Sequence, residues 1–227
     1  MKRKFVIFVL GLLLFVVGYT QEKDERDVGA FDRIKVSQGI VVELRKGNDE
    51  KVSITAGGID IDRVVTEVRG GTLRIYLDGN RFRNVDVKVS VTFTEIIGVS
   101  VNSAAEVYSQ SVIKADNFNI DVSSAGSTDL ELEANSVEIE VSSAGSVDLA
   151  GKVIELDVRV SSAGSIRAYD LEAEEVYIRA SSAGSVRITV TRKIDARASS
   201  GGSVRYRGNP DKEYTSSSSG GSVRRSH

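Results

Sequence analysis

A five-residue motif, Ser-Ser-Ala-Gly-Ser, returns along the second half of this chain at a nearly fixed interval, and that interval restricts the possible folds more than any other feature. The motif begins at Ser123, Ser142, Ser161 and Ser181, continues as Ser-Ser-Gly-Gly-Ser at Ser199 and Ser218, and has a degenerate forerunner, Asn-Ser-Ala-Ala-Glu, at Asn102. Successive spacings are 21, 19, 19, 20, 18 and 19 residues. A period this short cannot hold the paired helices of ankyrin or tetratricopeptide repeats, whereas it suits one coil of a β-solenoid.

The residues around each motif alternate as a strand with one buried face must. In Val137-Glu138-Ile139-Glu140-Val141 the apolar side chains share one face and the glutamates the other, and Val147-Asp148-Leu149 resumes the pattern after the corner. The expected fold is therefore all-β, a parallel β-helix (β-solenoid) with coils of about 19 residues. Superposed coils give an interior column Val99, Ile120, Ile139, Val158, Ile178, Ala196 and a second column Val107, Thr128, Val147, Ile166, Val186, Val204. With parallel strands about 4.8 Å apart, the corners span roughly 29 Å.

At the corners, Gly126, Gly145, Gly164 and Gly184 are expected to supply the positive φ of a sharp bend, and the small Ser and Ala residues to stack without clashing. Serine hydroxyls in register are expected to bond to one another or to corner backbone groups. Such a ladder also resembles a surface for ice or sugar, although turn geometry alone demands these residue types. A third interior column, Val101, Val122, Val141, Val160, Ala180, Ala198, Ser217, shrinks and turns polar, so the last coil reads as a fading cap. Residues 27–100 lack the motif, but alternating runs such as Val85, Val87, Val89 and Val91 make them an irregular β-rich part that leads into the repeat coils of residues 101–227. A short helical turn is expected between Ile59 and Arg63.

Residues 1–20 read as a signal peptide: Lys2-Arg3-Lys4 precedes an apolar run of thirteen, Phe5 to Val17, and Gly18 and Thr20 offer small residues for cleavage. The run is shorter than the roughly 17–25 residues of a membrane span. The expected mature chain, residues 21–227, is one β-solenoid domain with no transmembrane segment, exported to the periplasm, the cell surface or the medium. It carries 27 basic and 32 acidic residues. There is no cysteine to cross-link it, and the sole histidine is His227. These absences argue against Ser-His or Cys-His catalysis, a thiolate nucleophile, a metal site or any cofactor, and the charge balance argues against a nucleic-acid partner.

Outward columns carry the remaining signal. Before the corners they run Asp121, Glu140, Arg159, Arg179, Arg197, and after them Asp129, Asp148, Arg167, Arg187, Arg205, Arg224, both switching sign between the same two coils. Stacked arginines repel unless anions or acids such as Asp157, Asp195 and Glu175 offset them. The candidate ligand site is thus the ladder Arg159, Arg167, Arg179, Arg187, Arg197 and Arg205, facing anionic glycan, lipid headgroups or another envelope component, since arginine makes forked contacts to carboxylate, phosphate and sulfate. A solvated face is the plainer alternative. Paired acids such as Asp129 and Asp148 would suit a polysaccharide-active β-helix enzyme, but every coil lacks the long insertions that build a cleft, so no catalytic residue is assigned and the chain is read as no enzyme. Tyr108, Tyr169, Tyr177 and Tyr206 read as packing or rim residues. A self-associating structural role, joining acidic to basic coils end to end or side to side in a homo-oligomer, is a further alternative.

The segment from Phe31 through Gly39-Ile40-Val41 to Leu44, then Thr66-Glu67-Val68-Arg69-Gly70-Gly71-Thr72-Leu73, then the Ser-Ala-Gly corners, resembles the putative auto-transporter adhesin, head GIN domain family over residues 29–207. Many members of that family read Gly-Ile-Asn or Gly-Ile-Asp where this chain has Gly39-Ile40-Val41. The resemblance implies a parallel β-helix-like fold in an exported bacterial protein, often from Bacteroidetes, an adhesion-type cell-envelope role, and no catalytic residues.

Overall fold

The computed structural model describes residues 21–79 and 81–226. The expected signal peptide, residues 1–20, lies outside these residues. In chain order the strands are β1 (Glu22–Asp27), β2 (Arg33–Val36), β3 (Val41–Lys46), β4 (Lys51–Gly57), β5 (Val64–Arg69), β6 (Thr72–Leu77), β7 (Asp86–Phe93), β8 (Gly98–Val101) and β9 (Glu106–Ser109). The repeat strands follow: β10 (Ile113–Val122), β11 (Ser127–Val141), β12 (Ser146–Val160), β13 (Ser165–Ala180), β14 (Ser185–Ala198), β15 (Ser203–Arg207), β16 (Lys212–Ser217) and β17 (Ser222–Arg225). The helical turn is a 3₁₀ turn at Ile61–Arg63, capped by the Asp60 carboxylate, which accepts from Asp62 N.

Each of β11 to β14 leaves one Ser corner, bends midway where alternation breaks, as at Ala134–Ser136, and ends at the next corner. Neighbouring coils pair in parallel, Ile139 opposite Ile120 and Val158, Val147 opposite Thr128 and Ile166. All three interior columns stand in the expected register, and the first and third end on Thr215 and Ser217. Their side chains form one continuous buried core in which Thr128 is the sole buried polar side chain among the described residues. The chain is a β-solenoid of about seven turns with parallel bridges about 19 residues apart.

The corners revise the expected role of glycine. In Ser123-Ser124-Ala125-Gly126 the positive φ angles belong to Ser124 (50°) and Ala125 (59°), and Gly126 N donates to Ser123 O at 2.9 Å. Positive φ at both central positions is the signature of a type I′ turn, and for residues with a Cβ it costs roughly 1–2 kcal/mol each. The neighbouring coil offsets this strain: Ala125 N donates to Ser143 O at 3.0 Å, and the same bond repeats from Ala144 to Ser162 and from Ala163 to Ser182. Glycine is required for a different reason, because a Cβ on Gly126 would stand 2.7 Å from Val101 O and one on Gly184 2.8 Å from Val160 O. Nor do the hydroxyls form a bonded ladder. Serines one coil apart stand about 4.8 Å from each other, beyond hydrogen-bond reach, and Ser103, which donates to Asn102 Oδ1, is the only corner serine among the described residues whose hydroxyl bonds within the chain.

The N-terminal part joins the same sheet in an order the sequence does not follow. One face runs β5-β6-β2-β8-β10, and the other runs β1-β4-β7-β3-β9-β11. From β1, outermost on its face, the chain passes to an inner layer with β2 and β3, builds the outer layers with β4 to β7, and returns inward to β8 and β9. The corner between β2 and β3 has the repeat geometry without the repeat sequence: Gln38 and Gly39 take φ of 64° and 69°, and Gly39 N donates to Ser103 O. Gly39 thus fills the second left-handed position, Ile40 is buried behind it, and Val41 stands half-buried opposite Lys88 and Glu106.

Candidate functional site

The outward column after the corners is longer than its arginines. In unbroken register it reads Glu25, Ser53, Ser90, Glu43, Tyr108, Asp129, Asp148, Arg167, Arg187, Arg205, Arg224. Strand geometry forces this: residues at equivalent positions of stacked coils must share a face. The column before the corners likewise runs Asp121, Glu140, Arg159, Arg179, Arg197 and ends on Ser216.

These side chains divide into two groups. Where the sign switches, arginine is consumed by the acidic coil. Arg167 donates to Asp148 Oδ1 at 2.5 Å through Nε and to Oδ2 through Nη2. Arg159 donates to Glu138 and to Glu140 (3.0 Å) and stands 3.5 Å from Asp157. Bonds to these carboxylates hold the pKa of both guanidiniums above the ordinary arginine value, with Asp148 the leading cause for Arg167 and Glu138 for Arg159. Arg197 lies 3.4 Å from Asp195.

Beyond the switch Arg197 alone of the two columns keeps a carboxylate partner among the described residues. Among the described residues, Arg179, Arg187, Arg205 and Arg224 have no carboxylate within 4.0 Å, and Arg187, Arg205 and Arg224 occupy consecutive coils. Of the three acids expected to offset the ladder, Asp157 and Asp195 do so. Glu175 instead binds Arg192 (2.5 Å) and Lys193 (3.9 Å), and it also accepts from Tyr177. The bond from Arg192, aided by Tyr177 and Lys193, pulls the Glu175 pKa below its usual value.

None of the four tyrosines forms a stacking platform. Arg207 covers Tyr169 at 4.0 Å, Lys193 covers Tyr177 at 4.8 Å, Tyr206 is buried and donates to Glu213, and Tyr108 stands within the acidic column. Asp129 and Asp148 are neighbours as expected, but Asp148 is already held by Arg167. Among the described residues no three His, Cys, Asp or Glu side chains gather as a metal site, and no helix is long and apolar enough to cross a membrane.

A groove of about 990 Å³ on the face opposite the corners was not foreseen. Its wall alternates in sign, Lys114, Glu133, Lys152, Glu172, with Lys114 and Glu133 2.6 Å apart, and its floor is built of small residues, Ala115, Ala134 and Val153. Ile154, 46% exposed, projects at its rim. The signal available in the sequence is the column of small residues where alternation breaks.

Known proteins share this architecture. A crystal structure of a putative adhesin from Bacteroides fragilis superposes with a TM-score of 0.83 at 20% identity, covering 92% of this chain and 98% of that one. A putative adhesin from Parabacteroides merdae gives 0.73 at 18% identity, with 91% and 96% covered. A protein from Parabacteroides distasonis described as putatively lipid-binding gives 0.71 at 20%, with 91% and 97% covered. No curated protein matches the chain significantly. The family described as "Putative auto-transporter adhesin, head GIN domain" matches residues 30–210, and it is to this family that the chain belongs.

Proposed function

We propose that this protein is a non-enzymatic binding module of the adhesin type, exported through residues 1–20, which holds anionic envelope polymers along the outward arginines of its C-terminal coils. Adhesin families act outside the cytoplasm, and membership in one supports this setting. The observation that carries the reading is the run Arg187, Arg205, Arg224: three guanidiniums in register with no carboxylate partner among the described residues. At a spacing of about 4.8 Å they repel one another, and a polymer bearing sulfate, phosphate or carboxylate groups relieves that repulsion through forked hydrogen bonds. Arg179 adds a fourth free cation on the other side of the corner, whereas Arg159, Arg167 and Arg197 contribute less because acids already hold them.

The test compares two variants on immobilised heparin and on lipopolysaccharide, the second probe chosen because one structural neighbour is described as lipid-binding. Arg187→Ser with Arg205→Ser should elute at clearly lower salt than the parent chain. Arg159→Ser with Arg197→Ser should elute close to it. Equal retention of parent and Arg187/Arg205 variant on both probes overturns the proposal.

A further inference from the structure

Going beyond ligand binding, we infer that the solenoid stacks head to tail on further copies of itself, Arg224 of one copy meeting Glu25 of the next. Among the described residues both ends of the sheet are open: β16 pairs only with β14 and β17 only with β15, while β1 pairs only with β4 and β5 only with β6. Four strand edges therefore present unpaired backbone groups, which seek a partner strand unless something covers them.

Strand direction selects how copies fit. β4 runs antiparallel to β7 and β1 antiparallel to β4, so β1 points the same way as β7, β3 and every strand of that face down to β17. A shift along the solenoid axis thus sets β17 beside the next copy's β1 as a parallel pair, continuing the existing ladder. The same shift sets β16 against β5, which runs antiparallel to β6.

Charge selects the same arrangement. The outward column that starts at Glu25 ends at Arg224, so in-register stacking brings opposite charges together. A two-fold tail-to-tail arrangement would set arginine against arginine. β1, with sequence Glu-Lys-Asp-Glu-Arg-Asp, is acidic overall, and β17, Ser-Val-Arg-Arg, is basic.

Intrachain hydrogen bonds brace both ends. Arg26 of β1 donates to Val64 O, to Thr66 Oγ1 (3.1 Å) and to Ile61 O (3.2 Å), clasping β1 to β5. At the other end Arg225 donates to Asn209 Oδ1 at 2.6 Å and Tyr206 donates to Glu213 at 3.0 Å. The corner between β16 and β17 keeps the repeat geometry, Ser219 and Gly220 having φ of 47° and 76°. Inward positions at the ends are polar, Asp24 and Arg26 at one and Glu213, Thr215 and Ser217 at the other, which works against stacking and keeps the apolar core from continuing across the contact; backbone pairing and the outward charges alone hold it, so it is weak and salt weakens it further.

Sedimentation velocity of the full exported chain tests this at about 0.01 M and about 1 M salt, where the Debye length falls from about 30 Å to about 3 Å. Low salt should give an open-ended series of oligomers that grows with protein concentration, and high salt should return the monomer. Glu25→Lys and Arg224→Glu should each raise the concentration at which association begins by about tenfold. An equimolar mixture of the two, or the double variant, should restore it, with circular dichroism confirming that all forms are folded. A monomer at every concentration in low salt, a closed dimer indifferent to both reversals, or a mixture that fails to restore association overturns the inference. Retention on heparin by the Arg187/Arg205 variant is read separately, with Arg224 in place.

Discussion

Arg167 holds Asp148 of the preceding coil through both Nε and Nη2, and this fork fastens the basic half of the solenoid to its acidic half. Both side chains are partly exposed, so the pair's worth is bounded by solvent and salt. A double-mutant cycle with Arg167→Met and Asp148→Asn, read by urea unfolding, should give a coupling of about 0.5–1 kcal/mol that fades in high salt.

Gly164 should tolerate no side chain. Its Cβ would stand 2.9 Å from Val141 Cγ1 and 3.0 Å from Val141 O. Gly164→Ala is expected to destabilise by about 1–3 kcal/mol through overpacking. Ala163→Gly, at φ 61°, relieves left-handed strain while loosening the unfolded chain, and should stay within about 1 kcal/mol of the parent. Thermal melts of the two variants should fall in that order.

Thr128 Oγ1 is buried in the interior column without a hydrogen-bond partner. Its neighbours above and below are Val107 and Val147. Valine has nearly the same shape and no hydroxyl, so Thr128→Val should raise stability by about 1 kcal/mol, visible as a higher urea midpoint with an unchanged slope.

Glu175 supplies a pH signature. Its carboxylate is kept below the ordinary range, chiefly by the bond from Arg192. A depressed folded-state pKa adds stability that is complete above the unfolded value of about 4.3 and is lost as pH falls through the folded value. Urea midpoints measured downward from neutral pH should therefore decline less steeply in Glu175→Gln than in the parent once the pH passes below that value.

The repeat coils were legible because two periods reinforce each other. Alternation fixes which residues face inward, and the motif spacing fixes which coil each belongs to, so columns such as Ile120, Ile139 and Val158 could be read directly. The layers around β1 to β7 carry alternation but no motif, and nothing local records that β2 lies between β6 and β8. Glycine was misassigned at the corner because its usual role is positive φ, whereas here it yields space to the carbonyl of the coil beside it. The division of the arginines was hidden for another reason: whether Arg167 or Arg187 meets a carboxylate depends on which neighbour stands one strand spacing away. Asp148 occupies that place for Arg167, and another arginine occupies it for Arg187 on either side.

That out-of-sequence layering of β2 bears on how the molecule carries load. Its terminal strands β1 and β17 lie at opposite ends of one face, so tension between them pulls along the solenoid axis and opens backbone hydrogen bonds one row at a time. From the C-terminus the loss of β17 exposes β15 and the loss of β16 exposes β14, so the array can unzip coil by coil. From the N-terminus the unzipping halts once β1 is gone, because β2 is gripped on one side by β6 and on the other by β8 and must break both rows together. Under such tension the fold is expected to yield from its C-terminal end first.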